Sequence, residues 1–246
     1  MAATHDLAEG MDAPALCLQR PYKALVIGAS GSIGSAFAQA FASDPLCTHV
    51  ERISRASTGD FDLTRPASIS AHAQIAATRG PYAIMVDATG SLSIRGQGPE
   101  KALHSLDAEQ LMQTYLINTI GPAMVLRYFA PLLAKGPSIY AKLSARVGSI
   151  TDNRKGGWYG YRSAKAGLNM ILQTAAIELQ RKNPELRVLA LQPGTVQSKL
   201  SAPFTSASHQ VLTPEVSVYG MLTALKALPI KPGAVFLDYQ GKEIPW

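Results

Sequence analysis

Apolar positions in this chain fall into short continuous runs, separated by longer stretches in which they recur every three or four residues. Residues 23–28 (KALVIG), 48–54 (THVERIS), 82–90 (YAIMVDATG), 138–145 (SIYAKLSA), 186–194 (LRVLALQPG) and 234–239 (AVFLDY) have the length and aliphatic content of buried strands. A further short strand is expected near Asp60 to Leu63, for seven in all. Between them, residues 31–43, 66–80, 107–136, 158–183 and 214–228 carry helical spacing. Gly80 stops the second of these, and Pro122 and Pro131 interrupt the third or mark its turns. Strand and helix alternate nearly throughout. That predicts an α/β, doubly wound, mostly parallel seven-stranded sheet with helices on both faces and right-handed crossovers. Residues 1–20 read as a mobile N-terminal extension and 21–246 as a single domain. The irregular stretch at about 197–214 is the natural lid over a substrate.

Composition narrows the class. With 47% hydrophobic and 16% charged residues in 246, one large core is supported and a disordered chain is not expected. The formal charge of +6 is scattered, with no basic run. It fits an anionic small ligand plus solvation, and no nucleic-acid partner is expected. Cys17 and Cys47 show no metal spacing, nor do His5, His49, His72, His104 and His209, so no metal is expected and reduced thiols are the reading. No apolar stretch reaches the roughly 18–20 residues of a membrane span. No basic segment followed by an apolar core opens the sequence. The expectation is a cytoplasmic protein.

The first strand runs into a glycine-rich turn, GASGSIG. Gly28, Gly31 and Gly34 allow a tight turn and a close approach of backbone to a pyrophosphate. Ser30 and Ser32 add hydroxyls, and the helix entered through Ile33 supplies free N–H groups and the positive end of its dipole. This makes the fold expectation Rossmann-type, although an ordinary glycine-rich strand-to-helix turn is the alternative. The second strand ends ISRAS, with Ser54 and Arg55 and no carboxylate. An arginine there accommodates a 2′-phosphate, which favours NADP(H) over NAD(H); otherwise Arg55 is a solvated loop cation. Asp62 and Leu63 are placed beside the adenine, unless Asp62 is a turn carboxylate capping the following helix.

Far downstream, Tyr161 and Lys165 stand four apart in YRSAK, on one face of a helix. An ammonium beside a phenol favours the phenolate, bringing the tyrosine below its free value of about 10. The pair therefore suggests an acid or base for proton transfer; by spacing alone Tyr161 is equally a packing tyrosine.

GASGSIG, Asn118 in INTIG, LSARVGSI, YRSAK and PGTV at 193–196 together resemble the short-chain dehydrogenase/reductase family. The run from Ser144 to Met170 and the ending IPW resemble its C-factor branch, near the sniffer-like carbonyl reductases. The resemblance covers residues 22–246. It implies an enzyme that interconverts a carbonyl and a secondary alcohol by hydride transfer. Tyr161 would be the general acid or base, Lys165 would tune the phenol and hold the nicotinamide ribose, and Asn118 would hold a relay water. Gly90 would let backbone pass the ribose, and Pro193, Gly194, Thr195 and Val196 would hold the carboxamide. The family's substrate-binding serine falls in this register on Ala145. Ser144 is the candidate to replace it, with Ser149 behind; neighbours on a strand point to opposite faces. The family's Asn-Asn-Ala-Gly is replaced here by Asp87-Ala88-Thr89-Gly90. These departures leave an alternative, a C-factor-like regulatory protein that binds a dinucleotide with weak or no turnover. The resemblance also implies a homodimer or homotetramer, for which Leu168, Ile171, Leu172 and Ala176 on the Tyr161 helix are suited unless they face the sheet.

Overall fold

A computed structural model describes residues 18, 20–197 and 211–246. The expected N-terminal extension and most of the substrate loop, Phe204 included, lie outside the described residues, as do Cys17, His5 and His209.

Among the described residues six strands form one sheet: β1 (Tyr22–Ile27), β2 (Cys47–Ile53), β3 (Ile84–Asp87), β4 (Ser138–Leu143), β5 (Leu186–Gln192) and β6 (Ala234–Asp238). The order is β2-β1-β3-β4-β5-β6, and every neighbouring pair is parallel. The helices are α1 (Ser32–Ala42), α2 (Arg55–Thr58), α3 (Pro66–Ala77), α4 (Ala108–Tyr115), α5 (Gly121–Phe129), α6 (Tyr159–Gln180) and α7 (Pro214–Ala227). A π turn, Leu116–Ile120, joins α4 to α5.

The expected seventh strand at Asp60 to Leu63 is absent. The Ser68 hydroxyl donates to Asp60 O at 2.7 Å and accepts from Asp62 N at 3.0 Å. One side chain thus satisfies the polar backbone there, in place of a neighbouring strand. Phe61 is buried against the core, which produced the apolar pattern without a ladder.

Strands β3 and β4 are buried on both faces, as a sheet covered on both sides requires. One face is sealed by α1 and α7, with Phe37, Phe41, Met221 and Leu225 fully buried on it. The other is covered by α3, α5 and α6, around Ile69, Phe129, Leu168 and Leu172. Each fully buried side chain of this size contributes roughly 1.5–3 kcal/mol. Leu168, Leu172 and Ala176 therefore face the sheet and do not form an outer surface; Ile171 is half-buried against the same core. The chain leaves β1 toward β2 on one side and returns to β3 on the other. The crevice beyond the carboxyl ends of β1 and β3 is thus the topological switch point where doubly wound sheets bind ligands.

Candidate active site

The glycine turn sits at that switch point. Gly28 has φ +83°, and a β-carbon on it would come within 3.1–3.2 Å of the Ala88 and Thr89 backbone. A β-carbon on Gly34 would lie 2.2 Å from Gly28 O, so only glycine lets α1 start this close to the turn. Ser30, Gly31 and Ser32 are exposed, and Ile33 is half-buried. No side chain caps α1 at Gly31. Donors of its first turn remain for an anion, and the dipole favours negative charge there.

At the end of β2, Ser54 is buried and its hydroxyl accepts from Ser57 N at 3.1 Å, capping the short α2. Arg55, the first residue of α2, is exposed, and Arg52 reaches back to Ala38 O at 3.4 Å. Asp62 is occupied locally. Its carboxylate accepts from Thr64 N and Thr64 Oγ1 at 2.8 and 2.7 Å and pairs with Arg65 at 3.3 Å. These Thr64 hydrogen bonds hold the carboxyl below its ordinary value. Asp62 thus holds the turn before α3 but does not cap the helix, whose N-cap is Arg65 with no side-chain bond. Leu63 packs at the foot of the π turn, its carbonyl where a β-carbon on Gly121 would come to 2.7 Å.

Asn118 lies fully buried inside the π turn. Its Nδ2 donates to Ser91 O at 2.8 Å and Thr114 O at 3.1 Å, while Oδ1 accepts from Ser91 N at 3.0 Å. The widened turn thus aims an amide at the loop after β3, as π turns often do at functional sites. Gly90, at φ +137°, closes the gap: a β-carbon there would come 3.1 Å from Asn118 Oδ1 and 3.4 Å from Lys165 Nζ.

Helix α6 starts at Tyr159 after Trp158 in a left-handed conformation. The buried Glu100 accepts from Gly160 N at 3.0 Å, a carboxylate at the positive end of the helix. One turn on, Lys165 is buried, its Nζ donating to Leu143 O at 3.2 Å and lying 5.6 Å from the Tyr161 ring centroid. Burial first, then the Lys142 ammonium, push Lys165 down from its ordinary 10.5 to about 7, while Asp87 works the other way. Tyr161 is half-buried, and burial pushes its phenol above the ordinary value. The expected lowering of the phenol by its neighbour is therefore not seen. The lysine sits over the ring, anchored to a strand carbonyl, and is itself depressed.

Ser144 donates to Asn169 Oδ1 at 2.7 Å in a buried pair, two turns along α6 from Tyr161. Ser149 is also buried and accepts from Asp152 N at 3.0 Å, holding its own loop. Beyond β5, Pro193 O accepts from Ser217 at 2.6 Å, and Thr195 O accepts from Leu212 N at 2.8 Å. Gly194 packs at Leu212 and Tyr239, and Val196 is buried. The segment is thereby fixed at the mouth of the sheet.

The structure thus brings Asn118, Lys165 and Gly90 together, with Tyr161 one turn from Lys165 and the glycine turn just across the loop. It turns Ser144 and Asp62 to other partners. Sequence reasoning passed over Lys142 and Glu100, and noted Asp87 as a departure from the family's pattern without a role; Asp87 and Lys142 pair in the sheet. Lys142 and Asp87 were visible as charges inside strands that otherwise read as apolar.

The chain matches the family model for short chain dehydrogenase over residues 22–209. C-signal of Myxococcus xanthus is 33% identical over 169 residues, 68% of this chain and 94% of that protein. The NADPH bound carbonyl reductase from chicken fatty liver is similar in structure, with a TM-score of 0.77 at 24% identity over 92% of this chain and 100% of that one. Carbonyl reductase Sniffer of D. melanogaster gives 0.78 at 18% identity with the same coverage. At such identities the two structures speak for the fold, whereas the family match extends over most of the sequence and takes in the glycine turn and YRSAK alike: this chain belongs to the short chain dehydrogenase family.

Proposed function

We infer that the chain is an NADP(H)-preferring oxidoreductase interconverting a small carbonyl compound and a secondary alcohol, with Tyr161 as general acid and base. One observation carries the reading. Asn118 and Lys165 converge on Gly90 at the switch point, one helical turn from Tyr161 and across a single loop from an uncapped glycine turn. The residues fit a dinucleotide. The bare N-terminus of α1 suits a pyrophosphate. Exposed Arg55 at the end of β2 suits a 2′-phosphate, and the similar carbonyl reductase from chicken is described as NADPH bound.

When bound, NADP(H) supplies or accepts the hydride. Tyr161 gives its proton to the carbonyl oxygen during reduction, and a phenol raised by burial is fully protonated for that task at neutral pH. Lys165, titrating at about 7, is poised to pass a proton on. Asn118 holds Ser91 and the loop after β3 in place beside it. Pro193 to Val196 would line the carboxamide end. The chain would act as a single domain over 21–246, in the cytoplasm, and pair as a homodimer or homotetramer through surfaces other than the buried Leu168 and Leu172.

Tyr161→Phe should lower carbonyl reduction by about 10²–10⁴-fold while NADPH binding is kept. A panel of ketones and aldehydes followed by nicotinamide absorbance, with NADPH and NADH titrations, checks this. Tighter binding of NADH would overturn the Arg55 reading. A second reading has its own observation: Ala145 lacks a hydroxyl, Ser144 is spent on Asn169, and C-signal is a relative. A regulatory dinucleotide binder predicts NADPH binding with silence across the panel.

A further inference from the structure

Lys142 stands in β4, fully buried, in register with Asp87 at the end of β3. Its Nζ donates to Asp87 Oδ1 at 3.0 Å, to Thr89 O at 2.6 Å and to Thr89 Oγ1 at 3.1 Å. Asp87 Oδ1 also accepts from Thr89 N at 2.9 Å. Burying an ion pair costs desolvation that an apolar pair avoids, so stability alone is a weak reason for it. Its position offers a better one. The turn it grips runs from Asp87 into Gly90, the residue in contact with Asn118 and Lys165, and on to Ser91, which exchanges two hydrogen bonds with Asn118. On the opposite side the same turn abuts Gly28. It is the wall shared by the glycine turn and the side chains that handle protons.

We propose that Lys142, oriented by Asp87, is a positioning residue of this site, locking the Asp87–Gly90 turn between the dinucleotide-binding glycines and the Asn118–Lys165 pair. The inference rests on the reading of Lys165 and the glycine turn given above. It goes beyond it in assigning work to two buried residues to which that reading gives no role. The charges also act at a distance. Lys165 is faced by Tyr161 on its own helix, by Lys142 from β4 and by Asp87 from β3, with Tyr140 behind them near Asp87. Lys142 drives Lys165 toward its neutral form, and Asp87 opposes it. Removing one charge and removing both must therefore differ.

The test compares the full-length parent with Lys142→Met and with the double variant Asp87→Asn/Lys142→Met, whose buried pair is neutral. Thermal unfolding checks that each is folded. NADPH affinity is read from protein fluorescence, and Lys165 is titrated by NMR in 15N-lysine-labelled protein, its signal assigned with Lys165→Met. The folded double variant should bind NADPH about tenfold more weakly, because the turn has lost its ammonium bonds. Lys142→Met should raise the Lys165 titration by about one unit, and the double variant should bring it back toward the parent. Unchanged affinity in the folded double variant, together with an unmoved Lys165 titration in Lys142→Met, would overturn the proposal and leave the pair purely structural. Should Lys142→Met fail to fold, the affinity of the double variant decides alone. A parent that binds no NADPH would defeat the proposed function, and the Lys165 titrations would still decide the role of Lys142.

Discussion

Burial raises the phenol of Tyr161 and lowers the ammonium of Lys165, so the two residues of YRSAK are pushed toward sharing neutral forms rather than toward an ion pair. This has a directional consequence for chemistry. Reduction needs Tyr161 protonated, and a raised phenol stays protonated well past neutrality. Oxidation needs the phenolate, whose fraction grows tenfold per pH unit below the pKa. Carbonyl reduction should hold level on the alkaline side between pH 8 and 10, while alcohol oxidation climbs about tenfold per unit over the same range. Parallel pH–rate profiles for the two directions would contradict it. The four-residue spacing was legible in the sequence; the sign of the shift was not. Spacing reports that two side chains share a face. It says nothing of what lies over the lysine, here the carbonyl of Leu143 and a second buried ammonium. Ser144 shows the same limit, since its partner Asn169 sits 25 residues away and is found only once α6 packs on the sheet.

At the scale of elements, the alternation of strands and helices was readable because each apolar run is bounded by glycine, proline or polar turns. At Asp60 to Leu63 the burial of Phe61 supplied an apolar pattern, while a serine hydroxyl does what a strand neighbour would have done. Pro122 and Pro131 marked the long helical region as interrupted, but the π geometry at Asn118 was not legible, because five-residue hydrogen bonding leaves no compositional mark. The element on which the site most depends is the junction of β1 and α1. Gly34→Ala would force a β-carbon toward Gly28 O, and the backbone on both sides would have to yield. A stability loss of about 1–3 kcal/mol is expected from such overpacking. NADPH affinity should fall by at least about tenfold, since displaced N–H donors no longer converge on an anion. Melting and NADPH titration of the same variant check both halves. A destabilised variant with full affinity would detach the turn from cofactor binding.

Across the whole molecule, several buried titratable groups make stability a function of pH, and their signs can be added. In the unfolded chain Lys165 keeps its proton up to its ordinary 10.5; folded, it gives the proton up near 7. Between those values the unfolded state binds more protons, so stability rises with pH through that window, and the destabilisation is complete only below it. Lys142 is pushed down as well and acts in the same direction. Four tyrosines oppose this, but only above about 10: Tyr140 and the half-buried Tyr161 are raised by burial, Tyr22 by burial and Asp44, and Tyr82 is pushed up to about 12. There the folded state keeps phenol protons that the unfolded chain loses, and stability falls as pH rises. The apo chain should therefore melt at its highest temperature on the alkaline side, toward pH 9–10. Lys165→Met removes this ionisable group while filling the same buried space. At about 1.4 kcal/mol per pH unit, it should be more stable than the parent by a few kcal/mol at pH 7, with the gap closing toward pH 10. Melting curves of both proteins at pH 7, 8, 9 and 10 decide it. A constant offset would mean that the methionine merely packs better, and that Lys165 is not held near neutrality by the fold.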